Sequence, residues 1–172
     1  MKIRRVWALP SAFTFSIRPI KELIERYIRP EMVIIDPFAN KSQYGTITND
    51  LNPEYGTTYC MDALTFLRKM KTRSADIVLY DPPYSFRQAT ECYKGFGKDK
   101  LEIGVTNMKY WSECKKEIAR IVKVGGAVIC CGWNSNGLDR QRGFDIVEVL
   151  IVRHGGSRHD TIVTVEINAN LF

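Results

Sequence analysis

The chain lacks any apolar run approaching the length of a membrane span, so no bilayer-crossing helix is expected. Its first residues, Met1-Lys2-Ile3-Arg4-Arg5-Val6-Trp7, are basic, but neither the apolar stretch nor the cleavage site of a secretory signal follows them. A cytoplasmic protein without membrane contact is the expectation. Histidine is scarce, with only His154 and His159. The five cysteines (Cys60, Cys92, Cys114, Cys130 and Cys131) form an odd set without C-x-x-C spacing. This inventory points away from a zinc site and a disulfide framework, towards a reduced chain with no metal. Internal repeats, linkers and low-complexity segments are also missing. The 172 residues therefore read as one domain, long enough to bury a core. A formal charge of +6 permits an anionic partner but does not select one.

What is present centres on residues 75–84, Ala-Asp-Ile-Val-Leu-Tyr-Asp-Pro-Pro-Tyr. Ile77-Val78-Leu79 is the short apolar run of a strand buried on both faces of a parallel sheet. Pro82 and Pro83 lack the N–H that a ladder needs, so the strand must stop at Asp81. A carboxylate, two rigid residues and an aromatic ring are thereby fixed at the carboxyl edge of an α/β sheet, where ligands bind. Ionised Asp81 only accepts hydrogen bonds, and Pro82 offers a carbonyl. Two such acceptors suit the two hydrogens of a planar exocyclic amine and localise its lone pair for attack. Tyr84 supplies a face on which a heterocyclic base can stack. The bland alternative is a loop in which two prolines end a strand and Asp81 and Tyr84 are incidental.

Residues 12–28 read as an extended segment leading into a helix that Pro19 starts, with Ile20, Leu23, Ile24, Tyr27 and Ile28 at helical spacing. Phe13-Thr14-Phe15-Ser16 alternates aromatic and hydroxyl residues, which suits a half-buried strand, a ligand contact or an aromatic clip on the core. A second buried strand, residues 32–35, runs into Asp36-Pro37-Phe38-Ala39-Asn40. A third, residues 46–48, ends at Asn49-Asp50, and no helix of ordinary length fits between the two. Asp50 stands where a carboxylate reaches ribose hydroxyls, although a solvated Asn/Asp/Pro turn has the same composition.

Residues 59–61 suggest a further short strand, with Asp62 capping a helix over 63–70. Residues 85–110 are the least regular. A helix can begin at Arg87, and the Gly- and Lys-rich remainder, with Lys94, reads as a nucleic-acid contact or as a solvated loop. A helix over 110–122 carries Trp111, Cys114, Ile118 and Ile121 on one face. Val124-Gly125-Gly126 then turns into a strand over 127–131, followed by a polar loop containing Trp133. Segments 144–152 and 161–167 read as a closing antiparallel pair, joined by a loop with His154 and His159.

Asp81-Pro82-Pro83-Tyr84, with these segments in this order, resembles the amino-methylating DNA methyltransferases, in particular small phage-type adenine-N6 enzymes with this catalytic tetrapeptide. The likeness extends over most of the chain. It implies an α/β, Rossmann-like class I methyltransferase fold: a mixed seven-stranded sheet with an antiparallel C-terminal hairpin. One domain would span residues 1–172, with no separate target-recognition domain. The resemblance also implies S-adenosylmethionine as cofactor, DNA as partner with RNA as an alternative, a monomer or homodimer, and a host cytoplasm.

By position, Asp36, Pro37, Phe38 and Ala39 would meet the methionine part of the cofactor, with Phe13, Thr14 and Phe15 closing over it. Asp50 would bind the ribose, and Asp62 the cofactor's adenine amine unless it serves only as a helix cap. Asp81, Pro82, Pro83 and Tyr84 would carry catalysis, with Asp81 also facing the cofactor. Tyr84, Arg87, Lys94, Trp133 and His154 would meet the substrate, and packing suits Trp133 and His154 equally. One departure stands out. The family usually continues its first motif with Gly-x-Gly, and this chain has Asn40-Lys41-Ser42. Asn tolerates a left-handed backbone, so the turn is expected to survive. An initial Asp in the tetrapeptide favours adenine over cytosine-N4 chemistry. The alternatives are an RNA methyltransferase acting on adenine N6 or guanine N2, and a non-catalytic nucleic-acid-binding module of the same fold.

Overall fold

A computed structural model describes residues 1–95, 108–138 and 142–170. In chain order the elements are β1 (Lys2–Trp7), a 3-10 turn (Thr14–Ser16), α1 (Arg18–Tyr27), β2 (Ile34–Asp36), β3 (Ile47–Thr48), a second 3-10 turn (Pro53–Tyr55) and α2 (Ala63–Lys69). There follow β4 (Ala75–Tyr80), α3 (Phe86–Gly95), α4 (Met108–Ile121), β5 (Val122–Gly132), β6 (Phe144–Arg153) and β7 (Thr161–Asn168). The strands form one sheet in the order β1-β6-β7-β5-β4-β2-β3. β3, β2, β4 and β5 are parallel, β7 runs antiparallel to both β5 and β6, and β1 joins β6 in parallel.

β4 shows why the run Ile77-Val78-Leu79 is apolar throughout. Successive side chains point to opposite faces, and both faces are covered. Ile77 and Leu79 pack with Ile20, Leu23 and Ile24 of α1. Val78 and Tyr80 pack with Phe66 and Leu67 of α2 and Ile118 of α4. None of the described helices is long and apolar enough to cross a membrane.

The seven-stranded sheet and its closing hairpin match the expectation, but one strand comes from elsewhere. Tyr59 contributes only an isolated bridge to Asn49. The seventh strand is β1, which the sequence does not announce because its alternation is dominated by Lys2, Arg4 and Arg5. Its partner explains those charges. Arg4 donates to Glu148 of β6 (3.2 Å), which also accepts from Arg26 (2.7 Å) and Tyr27 (3.0 Å) of α1.

Two further readings need correction. Phe13–Ser16 is not a strand: Thr14–Ser16 forms a 3-10 turn, with the Ser16 and Ile17 amides donating back to Phe13 and Thr14. Gly125 and Gly126 do not precede their strand but lie within β5, as a bulge between the Ala75–Val122 and Ile77–Ala127 pairs. The bulge needs glycine. Gly125 has φ +75°, and a Cβ on Gly126 would sit 2.9 Å from the carbonyl oxygens of Asp76 and Lys123.

Candidate active site

β2, β3 and β4 end side by side at the carboxyl edge, and their loops build the site. Asn49, only 1% exposed, holds these loops in register. Its amide nitrogen donates to the carbonyls of Pro37 (3.1 Å) and Met61 (3.0 Å), and its side-chain oxygen accepts from the Met61 amide (3.1 Å). The sequence gives Asn49 no such role, because each partner lies twelve residues away. Asp50 accepts from the amides of Asn40 (2.8 Å) and Asn52 (2.9 Å).

Asn40 has φ +52°, so the turn that usually contains glycine is indeed made by an Asn in the left-handed region. Replacing Asn40 with Gly should leave stability within about 0.5 kcal/mol, whereas Asn40→Val should cost about 1–2 kcal/mol in urea unfolding.

Three cavities meet along this edge. The first, about 630 Å³, runs from Leu51, Met61 and Ala63 past Asp50 and Phe38 to Asp81. A second, about 550 Å³, shares Thr14, Phe38, Asn40 and Asp81 with it and continues to Phe13, Phe15, Ala39 and Lys41. A third, about 640 Å³, lies beyond Pro82, Pro83 and Tyr84 and is walled by Trp111, Lys115 and Trp133. Asp81 therefore lines the first two cavities, while Pro82, Pro83 and Tyr84 stand between the first and the third.

At its centre the Tyr84 hydroxyl donates to Asp81 Oδ1, and Thr14 Oγ1 lies 3.4 Å from that hydroxyl. Burial pushes the Asp81 carboxyl up to about 6, partly offset by hydrogen bonds from Tyr84 and Thr14. Tyr84 is held neutral by burial and by the adjacent Asp81 charge. Burial also raises the Cys130 thiol to about 12 and Cys131 well above its ordinary range, with the Glu166 charge adding to the first and the Asp81 charge to the second. Neither cysteine is a thiolate nucleophile at neutral pH. Asp36 is fully buried, and burial raises its carboxyl well above the usual range. Its Oδ1 accepts from the Phe38 amide (3.2 Å), while Oδ2 has no partner.

Not every candidate residue comes to this place. Asp62 caps α2, accepting from the Thr65 amide (2.9 Å) and the Tyr110 hydroxyl, while its neighbours Met61 and Ala63 line the first cavity. The capping role is the one the structure gives it. His154 is a packing residue and lines none of the three cavities described. It is 9% exposed, with Nδ1 2.9 Å from the Ala8 carbonyl and Nε2 2.8 Å from Thr161 Oγ1. Arg87 points away on the exposed face of α3, paired with Glu91 at 2.8 Å. Lys94 lies in α3, and its side chain is outside the described residues, as is most of the Gly- and Lys-rich segment.

Trp133 does reach the site, 5.9 Å edge-on to Tyr84, and His159 stacks on it at 4.3 Å. The sequence singles out His154 on that loop, whereas its other histidine is the one that meets Trp133. Nothing in the local pattern separates the two.

No protein-family model matches the chain, and no curated protein matches it in sequence. Solved structures do match in shape. TrmN from Thermus thermophilus superposes with a TM-score of 0.58 at 16% identity, over 88% of this chain and 49% of that one. The 1,6-didemethyltoxoflavin-N1-methyltransferase of Burkholderia thailandensis, solved with S-adenosylhomocysteine, gives 0.59 at 11%, over 89% and 78%. A SAM-dependent methyltransferase from Methanosarcina mazei gives 0.56 at 12%, over 85% and 96%. The fold is that of the S-adenosylmethionine-dependent methyltransferases. The chain spans about half the length of TrmN.

Proposed function

We propose that this chain transfers a methyl group from S-adenosylmethionine to the exocyclic N6 amine of adenine in DNA. The observation that carries the reading is the position of the tetrapeptide: Asp81 lines the paired cavities, and Pro82, Pro83 and Tyr84 next to it wall both the first cavity and the third. The paired cavities suit an adenosine with an amino-acid tail. Leu51, Met61 and Ala63 offer apolar contact for a base, Asp50 an acceptor for ribose hydroxyls, and Asn40 Oδ1 a buried acceptor with no partner of its own. The third cavity, with Tyr84 and Trp133 in its wall, suits a flipped-out base.

S-Adenosylmethionine supplies an electrophilic methyl group on sulfonium. The chain supplies the alignment. Asp81 and the Pro82 carbonyl accept the two hydrogens of the target amine, which turns its lone pair towards the first cavity. Tyr84 fixes the plane of the base by stacking. Holding both reactants against one carboxylate converts a bimolecular encounter into a reaction within one complex. For this the Tyr84 hydroxyl must release Asp81 Oδ1 to the incoming amine.

Asp81 accepts from the amine only when ionised. With its carboxyl at about 6 in the free protein, kcat/KM for the nucleic acid should fall about tenfold per unit below pH 6 and level off above it. A profile flat down to pH 4.5 would remove Asp81 from this role.

The test of the function is methyl incorporation from labelled S-adenosylmethionine into duplex DNA and structured RNA, followed by nucleoside analysis. N6-methyldeoxyadenosine is the expected product. Label found only in guanosine or adenosine of RNA would replace the substrate, and label in neither would favour a binding module.

A further inference from the structure

The second cavity presents a pattern of charge that the catalytic reading leaves unused. Its wall carries Lys21, Glu25, Lys41 and Asp81. Glu25 is already engaged, by Lys21 at 3.8 Å and by the Tyr44 hydroxyl at 3.1 Å. Asp81 is held by Tyr84. Lys41 alone among these four has no ion-pair or hydrogen-bond partner among the described residues. Its ammonium lies 5.5 Å from the centroid of the Phe13 ring, and both residues line the cavity. On the neighbouring residue, Asn40 Oδ1 is a buried acceptor without a donor. Buried acceptors are nearly always paired, so one left open at a cavity wall calls for a ligand's donor. An uncommitted cation beside an uncommitted acceptor matches a zwitterion: a carboxylate for Lys41 and an ammonium for Asn40.

We infer that Lys41 is the counter-ion for the α-carboxylate of S-adenosylmethionine, with Asn40 Oδ1 accepting from its α-ammonium. This rests on the cofactor reading given above and explains the departure at Asn40-Lys41-Ser42. Glycines in such a turn let the backbone approach a ligand closely. Here the left-handed Asn40 keeps the turn, and its successor supplies a flexible cationic stem that faces the cofactor's tail. The Phe13 ring restricts where that stem can lie, because a cation is favoured over an aromatic face. The consequence is selectivity for the amino-acid end of the cofactor rather than for its nucleoside end, together with sensitivity to salt.

Calorimetric titration of the full chain with S-adenosylmethionine, decarboxylated S-adenosylmethionine and 5′-methylthioadenosine tests this. Lys41→Ala should weaken S-adenosylmethionine about tenfold and leave the decarboxylated form unchanged, while Lys41→Arg restores most of the loss. Added salt should weaken S-adenosylmethionine binding more in the wild type than in Lys41→Ala. Equal loss for both ligands in Lys41→Ala, or equal affinity of the wild type for the two, overturns the inference. Lys41 is exposed, so unchanged thermal unfolding of the variants is the control for folding. A wild type that binds S-adenosylmethionine but methylates no nucleic acid removes the proposed substrate and leaves this inference standing. A wild type that binds none of the three ligands overturns both.

Discussion

Asp81→Ala should lower the rate of methyl transfer by about a thousandfold or more, the scale on which a single preorganised polar group at a reacting centre acts. The side chain also lines the first and second cavities, a steric role it shares with Thr14, Phe38 and Asn40. Affinity for S-adenosylmethionine should therefore change by less than about tenfold, well below the loss in rate. Asp81→Asn keeps one acceptor and should retain more activity than the alanine variant. It should also abolish the acid limb of the pH profile, since no group then titrates near 6 at that position.

Stability moves the other way. The folded carboxyl of Asp81 is raised, so its contribution is fully favourable only below the unfolded value and is lost as pH rises through about 6. Removing that buried charge should leave Asp81→Asn at least as stable as the wild type at pH 8. Single-turnover kinetics with nucleoside analysis, beside thermal unfolding, measures all of this. Full activity in Asp81→Ala would end the catalytic assignment.

Glu148→Ala should be the most damaging substitution outside the site, costing about 3 kcal/mol or more. The carboxylate is 5% exposed and receives Arg4 from β1 together with Arg26 and Tyr27 from α1. Truncation leaves two guanidinium groups facing each other where Arg4 Nη2 already has no partner. Both the edge strand β1 and helix α1 lose their common anchor. In a domain of this size, that loss should lower the unfolding temperature by about 6–12 °C.

The pH dependence has a definite sign. Burial raises the Glu148 carboxyl, but the Tyr27 hydrogen bond and the charges of Arg26 and Arg4 outweigh it, so the net shift is downward. Its stabilisation is therefore complete above the unfolded value, about 4.3, and disappears as pH falls through the lower folded value. Urea unfolding from pH 7 down to pH 3 should show this loss in the wild type and a much flatter profile in Glu148→Gln.

The parts of the molecule whose physics is local were legible in the amino-acid order. Ile77-Val78-Leu79 followed by Pro82-Pro83 reads as a buried strand stopped at a sheet edge, because alternation places apolar atoms on both faces and proline cannot donate to the ladder. Asp62 before an apolar helix is a cap for an equally local reason, and Asn40 could enter the left-handed region without glycine. The tertiary structure alone decided what depends on partners far along the chain. β1 is a strand because Glu148, more than a hundred residues on, neutralises its arginine. Asn49 became the bracket of the loops at the carboxyl edge through carbonyls that only the fold brings within reach. His159, rather than His154, meets Trp133 in the wall of the third cavity, because His154 is held between the Ala8 carbonyl and Thr161. Two histidines in one loop have the same composition and propensity. Which of them is buried is settled by the strands that close around it.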